Sequence, residues 1–162
     1  MIEIQQPKPF DLVGNPILIG GIGSGFEATL QYNISEGHDE RSGFFMVGGG
    51  TGEHDQFQIS VDVSDAAFQL DRLFVFVYDE AGPDPTPADG IVVPVIYGPR
   101  IVPGYYGYRI HTVLAGQTLS AIANTHYGDP ARYLDIVRAN PMSISDPNLI
   151  FPGQQLKIPM GS

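Results

Sequence analysis

Histidines are the residues of this sequence whose ordinary pKa best suits proton transfer or metal binding near neutral pH. The chain has four of them, His38, His54, His111 and His126, and it has no cysteine. The lack of cysteine excludes disulfides, thiolate nucleophiles and cysteine-ligated metal centres. His111 has no carboxylate at a motif spacing, and His126 lies on an apolar helix face, where a structural histidine is expected. No serine–histidine–aspartate order or pair of catalytic carboxylates stands out, so the sequence predicts a chain that is not an enzyme.

The other two histidines stand in acidic runs that could bind a metal ion. His38 lies within Glu36–Glu40, and His54 lies within Glu53–Asp55. A strand predicted over Gly43–Val47 would separate the two runs by about 17 Å, at about 3.4 Å per residue. One ion cannot take ligands from both runs, so we expect neither a metal site nor a cofactor.

Two acidic loops support a separate hypothesis, a calcium site. The loops at 48–55 and 79–90 are expected at the same end of a sandwich, because two strands separate them. Their oxygen ligands suit calcium, although no EF-hand spacing is present, and a solvated acidic rim is the alternative. The residues concerned are Glu53, His54, Asp55, Asp79, Glu80, Asp84 and Asp89.

Charge is distributed unevenly along the chain. Residues 1–104 carry 15 acidic and four basic side chains, whereas residues 105–162 carry three acidic and four basic ones. Such a step predicts a domain boundary. Nucleic acid is not expected as a partner, because an acidic surface repels phosphates and no basic patch is present. No apolar run approaches the length that crosses a bilayer.

The first half of the chain has the period-two pattern of β-strands. About seven short strands predict an all-β antiparallel sandwich. Glycine-rich segments at 20–25 and 48–52 are predicted as turns, because neither has the lysine or the following helix of a phosphate-binding loop. The strand candidates are 2–5, 17–19, 26–34, 43–47, 56–63, 73–78 and 91–97.

This first domain, residues 1–98, resembles the immunoglobulin-like domain of bacterial spore germination proteins. The resemblance depends on the Asn15-Pro16 opening, the Phe26–Leu30 strand, the strand at Phe57 and the closing Val92–Ile96 strand. It implies an accessory binding or spacer domain with no known catalysis.

A proline- and glycine-rich linker at 99–107 is followed by a helical period. Tyr108–Val113 predicts a strand, and Thr118 is the predicted N-cap of a helix that ends at Gly128. Asp129-Pro130 begins a second helix, which Pro141 ends. A strand at 155–158 completes a small α+β domain of order βααβ over residues 108–160.

The second domain resembles a lysin motif (LysM) domain. The runs that carry the resemblance are Tyr108–Val113, Gly116–Ala123, Tyr127–Pro130, Ala139-Asn140, Asp146-Pro147 and Pro152–Pro159. It implies binding of N-acetylglucosamine glycans, chiefly peptidoglycan and chitin. The implied groove has Ala115, Gly116, Gln117, Thr118 and Leu119 on one side and Pro141, Met142, Ser143, Ile144 and Ile150 on the other. Ile150 is thus expected in the groove, whereas Leu149, its neighbour in the sequence, is expected in the core.

Two departures bear on what the resemblance implies. Gln117 stands where aspartate is commonest, and the long Tyr127–Pro130 connection resembles a subtype of phage-tail and contractile-injection assembly proteins. The resemblance as a whole predicts non-catalytic binding of peptidoglycan or a chitin-type glycan in the bacterial cell wall, and the two departures motivate an alternative. The alternative is a structural adaptor in a phage-tail-like or envelope assembly.

The expected partners are an oligosaccharide and, through the acidic first domain, a protein. The expected location is the cell envelope or cell wall. A cytoplasmic or assembly-associated location is the alternative, because no basic segment precedes the apolar stretch Pro16–Ile19 as it would in a secretory signal.

Overall fold

Alternating apolar side chains build the first part of the chain into strands, and helically spaced ones build two helices in the second part. The computed structural model describes residues 1–48, 54–79 and 89–162. The chain divides into two compact units, unit 1 over Met1–Ile96 and unit 2 over Tyr97–Ser162. The predicted linker, 99–107, spans most of a 3-10 turn at Gly98–Arg100 and the start of the next strand.

Eight strands form two sheets in the described residues of the first part. One sheet has the order β1-β3-β6 and the other the order β2-β8-β7-β4-β5. The strands are β1 (Ile2–Gln6), β2 (Leu12–Val13), β3 (Ile17–Gly23), β4 (Thr29–Ser35), β5 (Glu40–Met46), β6 (Asp55–Val61), β7 (Arg72–Asp79) and β8 (Asp89–Tyr97).

The core of unit 1 lies between these sheets. Ile19 of β3 and Leu30 of β4 are fully buried, as is Leu73 of β7. The rings of Phe45 and Phe57, one from each sheet, have centroids 4.9 Å apart. The predicted all-β antiparallel sandwich is confirmed.

The glycine-rich segment 20–25 is not simply a turn, contrary to the prediction. Its first four residues belong to β3 and pair with β6. A Cβ atom at Gly21 would collide with the backbone of Glu3, and one at Gly25 with the backbone of Thr29. These two glycines therefore allow neighbouring backbone segments to approach closely.

The strand predicted from residue 26 begins three residues later. Phe26–Ala28 form a 3-10 turn in which Glu27 and Ala28 have φ angles of 53° and 58°. Both carboxylate oxygens of Asp79 accept from the Phe26 N–H at 3.1 Å, which holds the turn in place. The Phe26 side chain is 58% exposed and does not join the core.

β7 is an inner strand of the larger sheet, but only one of its faces is covered. It lies between β8 and β4. Leu73, Val75 and Val77 are buried, whereas Phe74 on the opposite face is 40% exposed. Its apolar outer residues are therefore not under a second layer in the part of the chain that is described.

Unit 2 has the predicted βααβ order. Its elements are β9 (Tyr105–Thr112), α1 (Leu119–Tyr127), a 3-10 turn (Pro130–Arg132), α2 (Tyr133–Ala139) and β10 (Gln155–Gly161). β9 and β10 pair antiparallel, and β9 begins before Tyr108 because the pairing extends to Gly107 and Tyr105. The core consists of Val113, Leu119, Ile122, Ala123, Ile136, Ile144, Leu156 and Ile158.

The helix ends are where the sequence predicted them. The Thr118 hydroxyl accepts from the Ala121 N–H at 3.2 Å and caps α1. Gly128 ends α1 with a φ of 71°. Asp129 accepts from the Ala131 N–H at 2.9 Å, so the second helical segment begins with the 3-10 turn at Pro130.

Candidate functional site

A groove in unit 2 separates the start of α1 from the loop that precedes β10. Its cavity has a volume of about 400 Å³. The lining residues are Gln117, Thr118, Leu119, Ser120, Tyr133, Pro147, Asn148 and Ile150. The groove is thus lined by uncharged polar groups, one aromatic ring and three other apolar side chains, those of Leu119, Pro147 and Ile150.

The first wall of the groove is positioned by a turn and a helix cap. Gly116 has a φ of 82°, a conformation that favours glycine. The Gln117 N–H donates to the Leu114 carbonyl at 3.2 Å, and Gln117 Oε1 accepts from the Leu114 N–H at 2.9 Å. Since Thr118 then caps α1, the wall is fixed on both sides of Gln117.

The second wall is held by side chains that bond to the backbone. Asp146 accepts from the Asn148 N–H at 2.9 Å. Gln154 accepts from the Phe151 N–H at 3.1 Å and donates to the Ser143 carbonyl at 2.7 Å. An irregular loop thereby gains a defined shape facing α1.

A buried asparagine joins α2 to β10 behind the groove. Asn140 is 6% exposed, and its amide nitrogen donates to the Ile136 carbonyl at 2.8 Å and the Lys157 carbonyl at 2.7 Å. Its amide oxygen accepts from the Lys157 N–H at 2.8 Å. Every polar atom of this side chain has a partner, which fixes the end of α2 against the sheet.

The structure brings together part of the predicted binding set. Four predicted residues line the groove, namely Gln117, Thr118, Leu119 and Ile150. Six do not, namely Ala115, Gly116, Pro141, Met142, Ser143 and Ile144. Ile144 is 4% exposed and belongs to the core, so its side chain cannot form an open apolar wall.

The expectation that Leu149 lies in the core is wrong, whereas Ile150 lines the groove as expected. Leu149 is 58% exposed, whereas Ile150 packs partly buried against the core and also lines the groove. The loop has no periodic pattern, so spacing alone could not assign the inward residue.

Four lining residues were missed. Ser120 follows the predicted wall by one position and lies in the first turn of α1. Tyr133 begins α2, and the signal that could have identified it is an aromatic ring at the start of that helix. Pro147 and Asn148 lie in the loop around Asp146, whose motif residues were the available signal.

A chain of hydrogen bonds leads from the groove to two histidines. Gln117 Oε1 lies 3.0 Å from His111 Nε2, and His111 Nδ1 lies 3.0 Å from His126 Nε2. The amide oxygen only accepts, so His111 Nε2 must donate to it. In neutral His111 the Nδ1 atom is then the acceptor, and His126 Nε2 donates.

The electrostatic surroundings favour neutral His126. Burial lowers the pKa of His126, and the charges of His111 and Arg109 lower it further. The imidazole rings of His111 and His126 meet edge to face, with centroids 5.1 Å apart.

The long connection after α1 is held by a tyrosine. The Tyr127 hydroxyl donates to the Pro159 carbonyl at 2.8 Å, and the Arg132 guanidinium lies 3.9 Å from the ring centroid. Arg132 also pairs with Asp135 at 2.9 Å. Burial of Tyr127 raises its pKa.

The acidic run around His38 forms a local structural cluster. The buried carboxylate of Glu36 accepts from the backbone N–H groups of His38, Asp39 and Leu70. It also bonds His38 Nδ1 at 3.0 Å. Burial raises the pKa of Glu36, but these hydrogen bonds and the charge of His38 outweigh it, so the pKa is lowered.

The calcium hypothesis lies largely outside the described residues. Glu53, Glu80 and Asp84 fall within the segments 49–53 and 80–88, and the side chain of Asp89 also lies outside. Within the described ranges, no group of three or more histidine, aspartate or glutamate side chains could hold a metal ion. No helix in those ranges is both long enough and apolar enough to span a membrane.

Comparison with protein families gives two matches. Residues 1–84 match the immunoglobulin-like domain of bacterial spore germination, and residues 111–159 match the LysM domain. The second match supports a glycan-binding role in general and suggests association with a cell wall. Both families are typically non-catalytic binding domains.

Two curated proteins show local similarity to the chain. An uncharacterized protein of Deinococcus radiodurans is 47% identical over 53 residues, which are 33% of this chain and 20% of that protein. The potassium binding protein Kbp of Escherichia coli O6:H1 is 43% identical over 51 residues, which are 32% of this chain and 34% of that protein. The alignments thus span a third or less of this chain and at most about a third of the relatives. No solved structure matches the chain significantly.

Proposed function

This chain belongs to the family of immunoglobulin-like domains of bacterial spore germination and carries a LysM domain, and we propose that it binds N-acetylglucosamine polymers of the cell wall. Peptidoglycan is the proposed natural ligand, and chitin oligosaccharides share its sugar. The binding site is the groove of unit 2, and unit 1 is an accessory domain.

The observation that carries this proposal is the chemistry of the groove. The side chains of Thr118, Ser120 and Asn148 can donate and accept hydrogen bonds without carrying charge, and Gln117 can donate through its amide nitrogen while its oxygen is engaged by Leu114 and His111. Ile150 and Tyr133 offer apolar surface to the methyl group and the carbon face of an acetylated sugar. A cavity of about 400 Å³ lies within the usual range for ligand sites.

The same lining supports binding rather than hydrolysis. Glycosidases that act through their own side chains typically use two carboxyl groups that flank the scissile bond. The groove lining, as far as the chain is described, contains neither aspartate nor glutamate.

The experiment is isothermal titration of the full chain with chitopentaose, together with copurification with peptidoglycan sacculi. Ile150→Ser should weaken binding by about 1–3 kcal/mol, because it removes apolar contact with the sugar. Leu149→Ser is the matched control, because the Leu149 side chain is next to Ile150 in the sequence but is exposed and does not line the groove. Equal losses in both variants, or no binding by the parent to either ligand, would contradict the proposal.

A second candidate function, an assembly adaptor, is favoured by the outer face of the larger sheet. Phe44 and Met46 of β5 are 73% and 68% exposed, and Val92 of β8 is 54% exposed. Exposed apolar groups of this kind are typical of protein interfaces. If sacculi fail to retain the chain, the adaptor replaces glycan binding as the proposed function.

A further inference from the structure

The outer face of the β1-β3-β6 sheet contains a second depression, far from the groove in the sequence. It has a volume of about 420 Å³ and is lined by Gln5, Gln6, Gly20, Gly21, Gln56, Phe57 and Gln58. We propose that this depression, the glutamine trough, binds an uncharged oligosaccharide. The proposal concerns unit 1 and does not depend on the groove of unit 2.

The trough exists because the central strand lacks a side chain at Gly20. Gly20 pairs with Gln6 on one side and with Gln58 on the other, so these three residues share the outer face. Their alignment leaves a floor of bare backbone between two rows of glutamine side chains.

The fold does not require glycine at this position. Gly20 does not have a left-handed φ, and a Cβ atom there would lie 3.5 Å from the Phe57 carbonyl oxygen, an ordinary contact. At the next position, by contrast, a Cβ atom of Gly21 would collide with the backbone of Glu3. Glycine weakens a strand interior and often marks a place where a ligand approaches the backbone.

A β-bulge in β1 places an additional glutamine side chain beside the trough. The register of β1 against β3 shifts between Ile4 and Gln6, and both Gln5 and Gln6 are exposed. Gln56 and Gln58 are exposed on β6 across the central strand. Four carboxamides, each both donor and acceptor, therefore flank the floor from two sides.

The chemistry of the lining specifies an uncharged ligand with many hydroxyl groups. No charged side chain lines the trough within the described residues, although unit 1 carries a large excess of acidic groups. Outside the lining, Leu18 is 44% exposed and Ile22 is partly exposed on the same strand face as Gly20, and the exposed Glu3 pairs with Ile22 at the far end of that face. Such a surface offers carboxamides to sugar hydroxyls and aliphatic groups to sugar rings.

A sugar fits this face better than an extended peptide. β3 is bonded to β1 on one side and to β6 on the other, so its main-chain groups are engaged in the sheet. A peptide lying across the floor could not add a strand, which is how peptides gain main-chain hydrogen bonds on a sheet edge. Recognition must come from the side-chain carboxamides.

The test is an NMR titration of the full chain with chitopentaose and, separately, with cellopentaose. An acetylated and amidated serine–asparagine peptide serves as the uncharged peptide probe. We expect saturable shifts of the Gly20 and Gln58 amides with at least one of the two sugars. Gly20→Val, which fills the floor, and Gln58→Glu, which replaces a donor by a charge, should each weaken that binding at least tenfold.

A matched control separates the effect of charge from the effect of position. Gln155→Glu makes the same substitution at an exposed site of unit 2 outside the groove lining, and it should leave the shifts unchanged. If circular dichroism shows that Gly20→Val is unfolded, the sugar affinities of Gln58→Glu and Gln155→Glu are compared instead. Equal affinities in these two variants would overturn the proposal.

The same titration distinguishes the two sites. Suppose that both sugars, at millimolar concentration, shift Gln117 and Ile150 but neither Gly20 nor Gln58. That result would overturn sugar binding by the trough and support sugar binding by the groove. Shifts confined to Gly20 and Gln58 would support the trough and contradict the proposed function. Trough shifts with the peptide but with neither sugar would overturn the sugar assignment.

Discussion

Gln117 does more at the residue scale than line the groove. Its side-chain oxygen accepts from the Leu114 N–H and from His111, so it links the loop of the groove to β9. His126 extends the same chain of hydrogen bonds from α1. Gln117 is thus an uncharged acceptor that also determines which nitrogen of His111 carries the proton.

Acid should destabilise the folded chain through His126. Burial and the charges of His111 and Arg109 lower the pKa of His126 in the folded state. In the unfolded chain a histidine has a pKa of about 6.5. As the pH falls through that value toward the lower folded pKa, the unfolded chain binds more protons, so stability decreases. Calorimetry should give a lower Tm at about pH 5.5 than at about pH 7.5.

The variant His126→Gln should reduce this difference in Tm. His54→Gln replaces an exposed histidine of unit 1 and serves as the control. If the pH dependence of Tm persists in His126→Gln and disappears in His54→Gln, His54 and not His126 causes it, and the prediction is wrong.

Single residues were predictable where their role is local. Thr118 and Gly128 end α1 through contacts within a few positions of themselves, and residue type and spacing are enough to identify them. Ile144 and Leu149 lie in a loop without a period. Which of them faces inward depends on the path set by Gln154 and Asp146, so the sequence could not assign them.

At the scale of elements, unit 2 depends on one buried asparagine for the join between α2 and β10. Asn140→Leu keeps the branching of the side chain but removes the hydrogen-bond partner of the Lys157 N–H and carbonyl. An unsatisfied buried polar group costs about 1–3 kcal/mol, so we expect a loss of at least about 2 kcal/mol in the free energy of unfolding. Urea denaturation measures it.

Asn124→Leu is the matched control for this substitution, because Asn124 is exposed on α1. It should change the free energy of unfolding by less than about 0.5 kcal/mol, as surface substitutions generally do. Similar losses in the two variants would show that Asn140 does not join α2 to the sheet.

Elements were predictable where periodicity is strong. Both helices and the alternating strands were identified from their apolar spacing. The start of β3 was visible, but its extension through Gly20–Gly23 was not, because a glycine run has the composition of a turn. Only the backbone of Glu3 beside Gly21 shows why glycine is needed inside that strand.

For the whole molecule, we expect unit 2 to fold on its own. Residues 97–162 should show cooperative unfolding by circular dichroism and retain any sugar binding of the full chain. They include Ile101 and Val102, which are 4% and 3% exposed, and Arg100, whose carbonyl accepts from Arg138 at 2.8 Å.

A shorter fragment, residues 105–162, keeps the βααβ core but lacks those contacts. We expect it to fold with a lower Tm, because burying an aliphatic side chain of this size is worth about 1.5–3 kcal/mol. An unfolded 97–162 fragment would show that the two units are not independent domains.

The ring of Tyr133 in the groove gives the molecule an optical property of its own. The chain contains eight tyrosines and no tryptophan, so its ultraviolet emission comes from phenol rings without a stronger emitter to mask them. One of these rings lines the groove, where a bound sugar would displace water from it and change its emission. Occupancy of the groove would therefore be visible as fluorescence of the unlabelled protein, and Tyr133→Phe would remove that signal while keeping the ring surface.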